Sequence, residues 1–137
     1  MSPLHSKNAE LFVYLSWNTH ARYPLLDSDQ ARQAAFQAID AGARFKFCRL
    51  LAIESTPYCV HLVCRFPASL SISHLTGITQ TACAEAVCRL WEAIEPGRCL
   101  PRRLWEPTCT ARTLGPMTEL EARAYLHRQM AAATLEE

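Results

Sequence analysis

Glu10 to Trp17 (ELFVYLSW) is dense in aromatic and β-branched residues and predicts a strand. A polar loop, Asn18 to Asp27, contains Pro24 and ends at Ser28, an N-cap for a helix extending to about Ala43. Within it Ala31, Ala34, Ala35, Ala38 and Ile39 recur at helical spacing and form one apolar face, and Gly42 is expected to end it. Phe45 to Glu54 (FKFCRLLAIE) and Tyr58 to Phe66 (YCVHLVCRF) predict two strands, and their short link Ser55-Thr56-Pro57 makes them an antiparallel hairpin. Alternation in the second puts Tyr58, Val60, Leu62, Cys64 and Phe66 on a core face and Cys59, His61, Val63 and Arg65 on the other.

Ser71 to Ile94 carries the longest periodic pattern. Ile72, Leu75, Ile78, Ala82, Ala86, Leu90 and Ile94 trace a stripe at three- and four-residue steps, which predicts a helix. A loop with Pro96, Gly97, Pro101, Arg102 and Arg103 leads to a weaker strand from Cys109 to Leu114, broken by Gly115-Pro116. Thr118 with Glu121 makes a capping box that opens a last helix to about Ala133. The order β, α, β, β, α, β, α fits an α+β fold: a ferredoxin-like antiparallel four-stranded sheet with helices on one face plus a C-terminal helix.

The 137 residues correspond to one domain, residues 1–137, and half of them are apolar. No apolar run is long enough to span a membrane, and the N-terminus lacks the pattern of a secretory signal, so a cytoplasmic protein is expected. A formal charge of +1 is far from the footprint of a strongly basic nucleic-acid binder, although it allows a local basic patch. All cations but Lys7 and Lys46 are Arg, which favours forked contacts to carboxylate or phosphate, a bias that a GC-rich genome would also produce. Seven cysteines with no CxxC pair argue against a disulfide framework. Cys48, Cys83 and Cys88 fall in apolar patterns that suit buried thiols.

Two constellations carry candidate chemistry. Cys59 and His61, two apart on a strand, leave the same face and could share a cation or a phosphate. Tyr125 and Gln129, four apart on the last helix, also share a face. Taken singly, each has an ordinary structural explanation: a hydrogen-bonded strand histidine and a packed helical tyrosine.

Together and in this order they resemble the single-tyrosine HUH transposases of the insertion-sequence-200 type and their REP-associated relatives. Trp17, Thr19, Arg22 and Pro24 match the family's Trp-x-Thr and Arg-x-Pro pattern. The segment TPYCVHLVCRFPASLSISHLTGITQ is similar to its Pro-Asp-His-Val-His-Leu-Leu-Val strand, its Pro-x-x-Leu-Ser-x-Ser connection and its Leu-Lys-Gly-x-Ser-Ser helix start. Trp105 stands where the family has a Trp before its last strand, and Tyr125 and Gln129 match its Tyr-x-x-x-Gln. The resemblance implies a divalent cation, Mg²⁺ or Mn²⁺, held by two histidines and the Gln. It also implies a tyrosine that attacks a phosphate of single-stranded DNA to leave a 5′-phosphotyrosine link. Dimers that recognise DNA hairpins are implied as well, with a last helix able to reach the partner's metal site.

The chain departs from that pattern at the chemistry. Cys59 replaces the first His, Tyr58 the Asp before it and Thr76 the Lys, and Cys109 stands where an aromatic residue is expected. A thiolate suits Zn²⁺ better than the hard ions of the family. The expectation is an inactivated or domesticated descendant. Tyr125 is then a vestigial nucleophile, Cys59, His61 and Gln129 form a degenerate metal site, and Arg22, Arg65, Arg102 and Arg103 keep single-stranded DNA contacts. Two alternatives stay open: a working enzyme with Mn²⁺ or Zn²⁺ on Cys59, His61 and Gln129, and a dimeric interaction module that binds no nucleic acid.

Overall fold

The computed structural model describes residues 9–136; residues 1–8, on which the reading of the N-terminus rests, lie outside it. Four strands, β1 (Glu10–Thr19), β2 (Arg49–Thr56), β3 (Cys59–Pro67) and β4 (Trp105–Leu114), form an antiparallel sheet in the order β2-β3-β1-β4. Three α-helices join them: α1 (Asp29–Phe45), α2 (Ile72–Ile94) and α3 (Glu119–Glu136). The fold is α+β, as expected, with the strand order of a ferredoxin-like sheet. α1 and α2 lie against one face, and α3 lies against β2 and β3 on the other.

Alternation along the central strands decides which residues meet which helices. Val13, Leu15 and Trp17 of β1 and Val60, Leu62, Cys64 and Phe66 of β3 point into the main core, where they meet Ala31, Ala35, Ile39 and Ala43 of α1. The intervening residues Tyr14 and Val63 join Leu51, Ala122 and Leu126 in a smaller cluster beneath α3. Both faces of β3 are therefore buried. Tyr58, expected on the core face, precedes the strand instead and takes part in the turn that ends the hairpin.

Several element ends differ from expectation. Ser28 caps α1 as read, its Oγ accepting from Ala31 N–H at 3.1 Å, but the helix passes Gly42 and ends at Phe45. Gly42 serves helix packing instead: a Cβ there would stand 3.4 Å from Ala82 Cβ and 3.5 Å from Ile78 Cγ2 of α2. Consequently the segment from Phe45 to Cys48, read as strand, closes the helix, and β2 begins at Arg49. In α2 the residues facing the core are Leu75, Thr79, Cys83, Val87 and Trp91 rather than the Ile78, Ala82, Ala86, Leu90 stripe. Thr79 can face inward because its hydroxyl bonds back to the Leu75 and Thr76 carbonyls, each at 3.0 Å. Ile78 and Ala82 pack toward α1 instead. The seven cysteines are free thiols.

Candidate functional site

The smaller, α3-covered face holds the candidate chemistry. β1 and β3 pair so that Ser16 lies opposite His61, and Tyr14 stands two residues along on the same face. His61 is only 4% exposed, and both ring nitrogens have partners: Nδ1 lies 2.8 Å from the Tyr14 hydroxyl and Nε2 lies 3.0 Å from Cys59 Sγ. A neutral imidazole offers one N–H and one lone pair, so the ring donates to one neighbour and accepts from the other. Burial holds the His61 pKa below the usual histidine range and so favours that neutral ring. Burial is also the main reason the Tyr14 phenol titrates above its ordinary range, against a lowering hydrogen bond to Ser16.

The hairpin turn positions the thiol. Thr56 Oγ1 accepts from the Tyr58 N–H at 3.1 Å and the Cys59 N–H at 3.2 Å. With both lone pairs used, its own proton is donated to Cys59 Sγ, 3.1 Å away. The sulfur thus sits between Thr56 and His61.

α3 brings Tyr125 to this row. Thr118 and Glu121 form the expected capping box, with Glu121 N–H donating to Thr118 Oγ1 at 3.1 Å and Thr118 N–H donating to Glu121 Oε1 at 2.9 Å. One turn on, Ala122 and Leu126 bury themselves on the sheet, which lays the half-exposed Tyr125 ring edge-on against Tyr14 with centroids 5.4 Å apart. Tyr125, Tyr14, His61 and Cys59 form one contiguous chain of side chains. Gln129 is engaged by Arg112: its Oε1 accepts from Arg112 Nη1 at 3.0 Å, and the same guanidinium stands 6.0 Å over the Tyr14 ring.

A cleft of about 340 Å³ opens beside Cys59, lined by Asn18, Thr19, Arg22, Tyr58, Glu106 and, from α3, Ala133. Its wall is a tight turn in which Ala21 (φ 53°) and Arg22 (φ 56°) both adopt the left-handed conformation that non-glycine residues seldom take. Ala21 N–H donates to Glu106 Oε1 at 2.9 Å, which with nearby His20 keeps the Glu106 carboxyl below the usual range. The Arg22 guanidinium lies 4.5 Å over the Tyr58 ring. Thr19 Oγ1 is buried with no hydrogen-bond partner among the described residues.

The expected site residues are therefore only partly gathered. Cys59 and His61 touch, Tyr125 reaches them through Tyr14, and Arg22 lines the adjoining cleft. Arg102 and Arg103 are exposed on the loop before β4. Arg65 lies about 20 Å further along β3, paired with Glu10 at 2.5 Å. Sequence reasoning missed Tyr14, Thr56 and Arg112. The signal for Tyr14 was present: it alternates with Val13 and Leu15 and so faces the same side as His61 once β1 and β3 are paired.

No family model and no curated protein matches the chain. Solved structures do, among them these two. A protein of Deinococcus radiodurans R1 assigned as a transposase superposes with a TM-score of 0.65 at 23% identity, over 88% of this chain and 92% of that one. The REP-associated tyrosine transposase bound to a REP hairpin superposes with a TM-score of 0.58 at 15% identity, over 81% of this chain and 60% of that one. The chain shares the fold of these transposases. Within that transposase fold, Tyr125 on the last helix and His61 on the central strand lie on the same side of the sheet. No helix among the described residues is long and apolar enough to cross a membrane.

Proposed function

We propose that the protein descends from a single-strand-specific tyrosine transposase and keeps the fold and the DNA contact but not the metal-dependent cleavage step. The observation that carries this reading is the bond between Cys59 Sγ and His61 Nε2. A thiol stands where the family pattern has an imidazole, and the ring nitrogen that a cation would use is engaged by it. The implied cation does not fit the donor set. Mg²⁺ and Mn²⁺ favour oxygen or imidazole over thiolate, and the third candidate, Gln129, gives its carbonyl oxygen to Arg112, whose charge opposes a cation there.

Single-stranded DNA is the partner this reading keeps, with Arg22 in the cleft and Arg102 and Arg103 on the adjacent loop as its contacts. The REP hairpin held by the structural neighbour supports this choice of partner. A homodimer acting in the cytoplasm completes the proposal. β4 is an outer strand exposed along most of its length, and an open strand edge invites pairing with another chain.

Incubating the protein with a labelled hairpin-bearing single strand and Mn²⁺ tests the reading. Wild type should bind the strand without forming a covalent adduct. Cys59→His should restore an adduct that disappears in Cys59→His with Tyr125→Phe. A covalent adduct on the wild-type chain, lost in Tyr125→Phe, would overturn the proposed inactivation.

A further inference from the structure

At the end of the sheet opposite Cys59, residues 44–49 read Arg-Phe-Lys-Phe-Cys-Arg. Both rings face solvent, with Phe45 78% and Phe47 90% exposed. The backbone here is a Schellman closure of α1: Cys48 N–H donates to the Ala43 carbonyl at 2.9 Å and Phe47 N–H to the Arg44 carbonyl at 3.0 Å. Phe47 occupies the position where glycine is favoured and takes φ 62° to do so. A bulky residue in the left-handed conformation with its ring in water adds nothing to the helix end or the core. A bulky ring at such a position calls for another role.

Cations surround the rings. Arg44, Arg49 and Arg65 line a cleft of about 500 Å³ together with Phe47, and Lys46 Nζ lies 5.6 Å over the Phe45 ring. Arg44 pairs with Asp40 at 3.0 Å, Arg65 with Glu10 at 2.5 Å, and Arg49 with Glu119. These are exposed pairs, which add little to folding and leave each guanidinium able to turn to a phosphate. Counting Lys46, four cations meet three carboxylates, so the patch carries a net positive charge. A double helix hides its base faces, whereas an unpaired strand offers each base to a ring and each phosphate to a cation.

We propose that Phe45 and Phe47 are a stacking platform for unpaired bases, with Lys46 and Arg44, Arg49 and Arg65 holding the adjoining phosphates. This second single-strand contact is independent of the Tyr125 and Cys59 reading.

The test uses the full chain and a fluorescent oligothymidine, measured by anisotropy across a salt series. Phe47→Gly suits the backbone and should keep or raise the melting temperature, while Phe47→Gly with Phe45→Ala should weaken binding about fivefold or more. Lys46→Ala should flatten the slope of log affinity against log salt by about 0.7. Unchanged affinity in the folded double variant overturns the platform, as does equal binding of a blunt duplex. Arg22→Ala separates the two sites. Loss of binding in Arg22→Ala alone leaves the proposed function standing without the platform, and loss in the double Phe variant alone does the reverse. No binding of any single strand by wild type at low salt overturns both.

Discussion

The two faces of the sheet are made from the same strands, one residue out of step, yet they differ in kind. Toward α1 and α2, Val13, Leu15, Trp17, Leu62 and Phe66 are fully or almost fully buried among apolar neighbours. Toward α3, the alternate positions Tyr14 and His61 are buried as a hydrogen-bonded polar row flanked by only a few apolar contacts from Leu51, Val63, Ala122 and Leu126. The first face stabilises without specifying any chemistry. The second buries groups that could have been replaced by apolar residues at less risk, because an incompletely satisfied buried polar network destabilises more than an apolar one. Side-chain alternation thus divides one sheet into a side that holds the fold and a side that carries the candidate site.

If that division is right, truncations on the two faces should differ. The largest effect is expected for Leu62→Ala, which removes a fully buried side chain from the close-packed face and should cost about 2–5 kcal/mol in urea denaturation. Tyr14→Phe should cost about 1–3 kcal/mol, because the ring and its packing stay while His61 Nδ1 loses its only partner on that side. Nitrogen chemical shifts of the His61 ring should move in Tyr14→Phe and stay fixed in Leu62→Ala. Movement in both variants would mean that the row is not a separate feature of the α3 side.

Much of this architecture was legible in the sequence because short-range rules governed it. Ser28 and the Thr118–Glu121 box marked helix starts with their own side chains, and alternation in β3 separated Val60, Leu62, Cys64 and Phe66 from Cys59 and His61. What was illegible depended on partners distant in sequence. Gly42 looked like a helix end until α2 lay against it, and the inward turn of Thr79 required its hydroxyl to find the helix's own carbonyls. The site shows the same division. Tyr125 and His61 could be nominated from their motifs, but the residue that joins them, Tyr14, emerges only from the β1–β3 register and the seating of α3. Arg112, which engages Gln129, comes from β4, a strand expected to be shorter than the ten residues observed.

The smallest effect is also the most discriminating, because it loosens one face without touching either. Thr118→Ala removes the hydroxyl that accepts from Glu121 N–H and should cost about 0.5–2 kcal/mol, with Glu121 left to cap alone. α3 covers a smaller buried apolar cluster than the one beneath α1 and α2. The loss should therefore show as faster amide exchange through α3 and at the Tyr125 backbone, while amides of α1, α2 and the core of β3 keep their protection. Thr118→Ser retains the accepting oxygen and should restore slow exchange. If the alanine variant instead accelerates exchange equally on both sides, the two faces unfold as one cooperative unit. The α3 side would then not be an energetically separate layer of the fold.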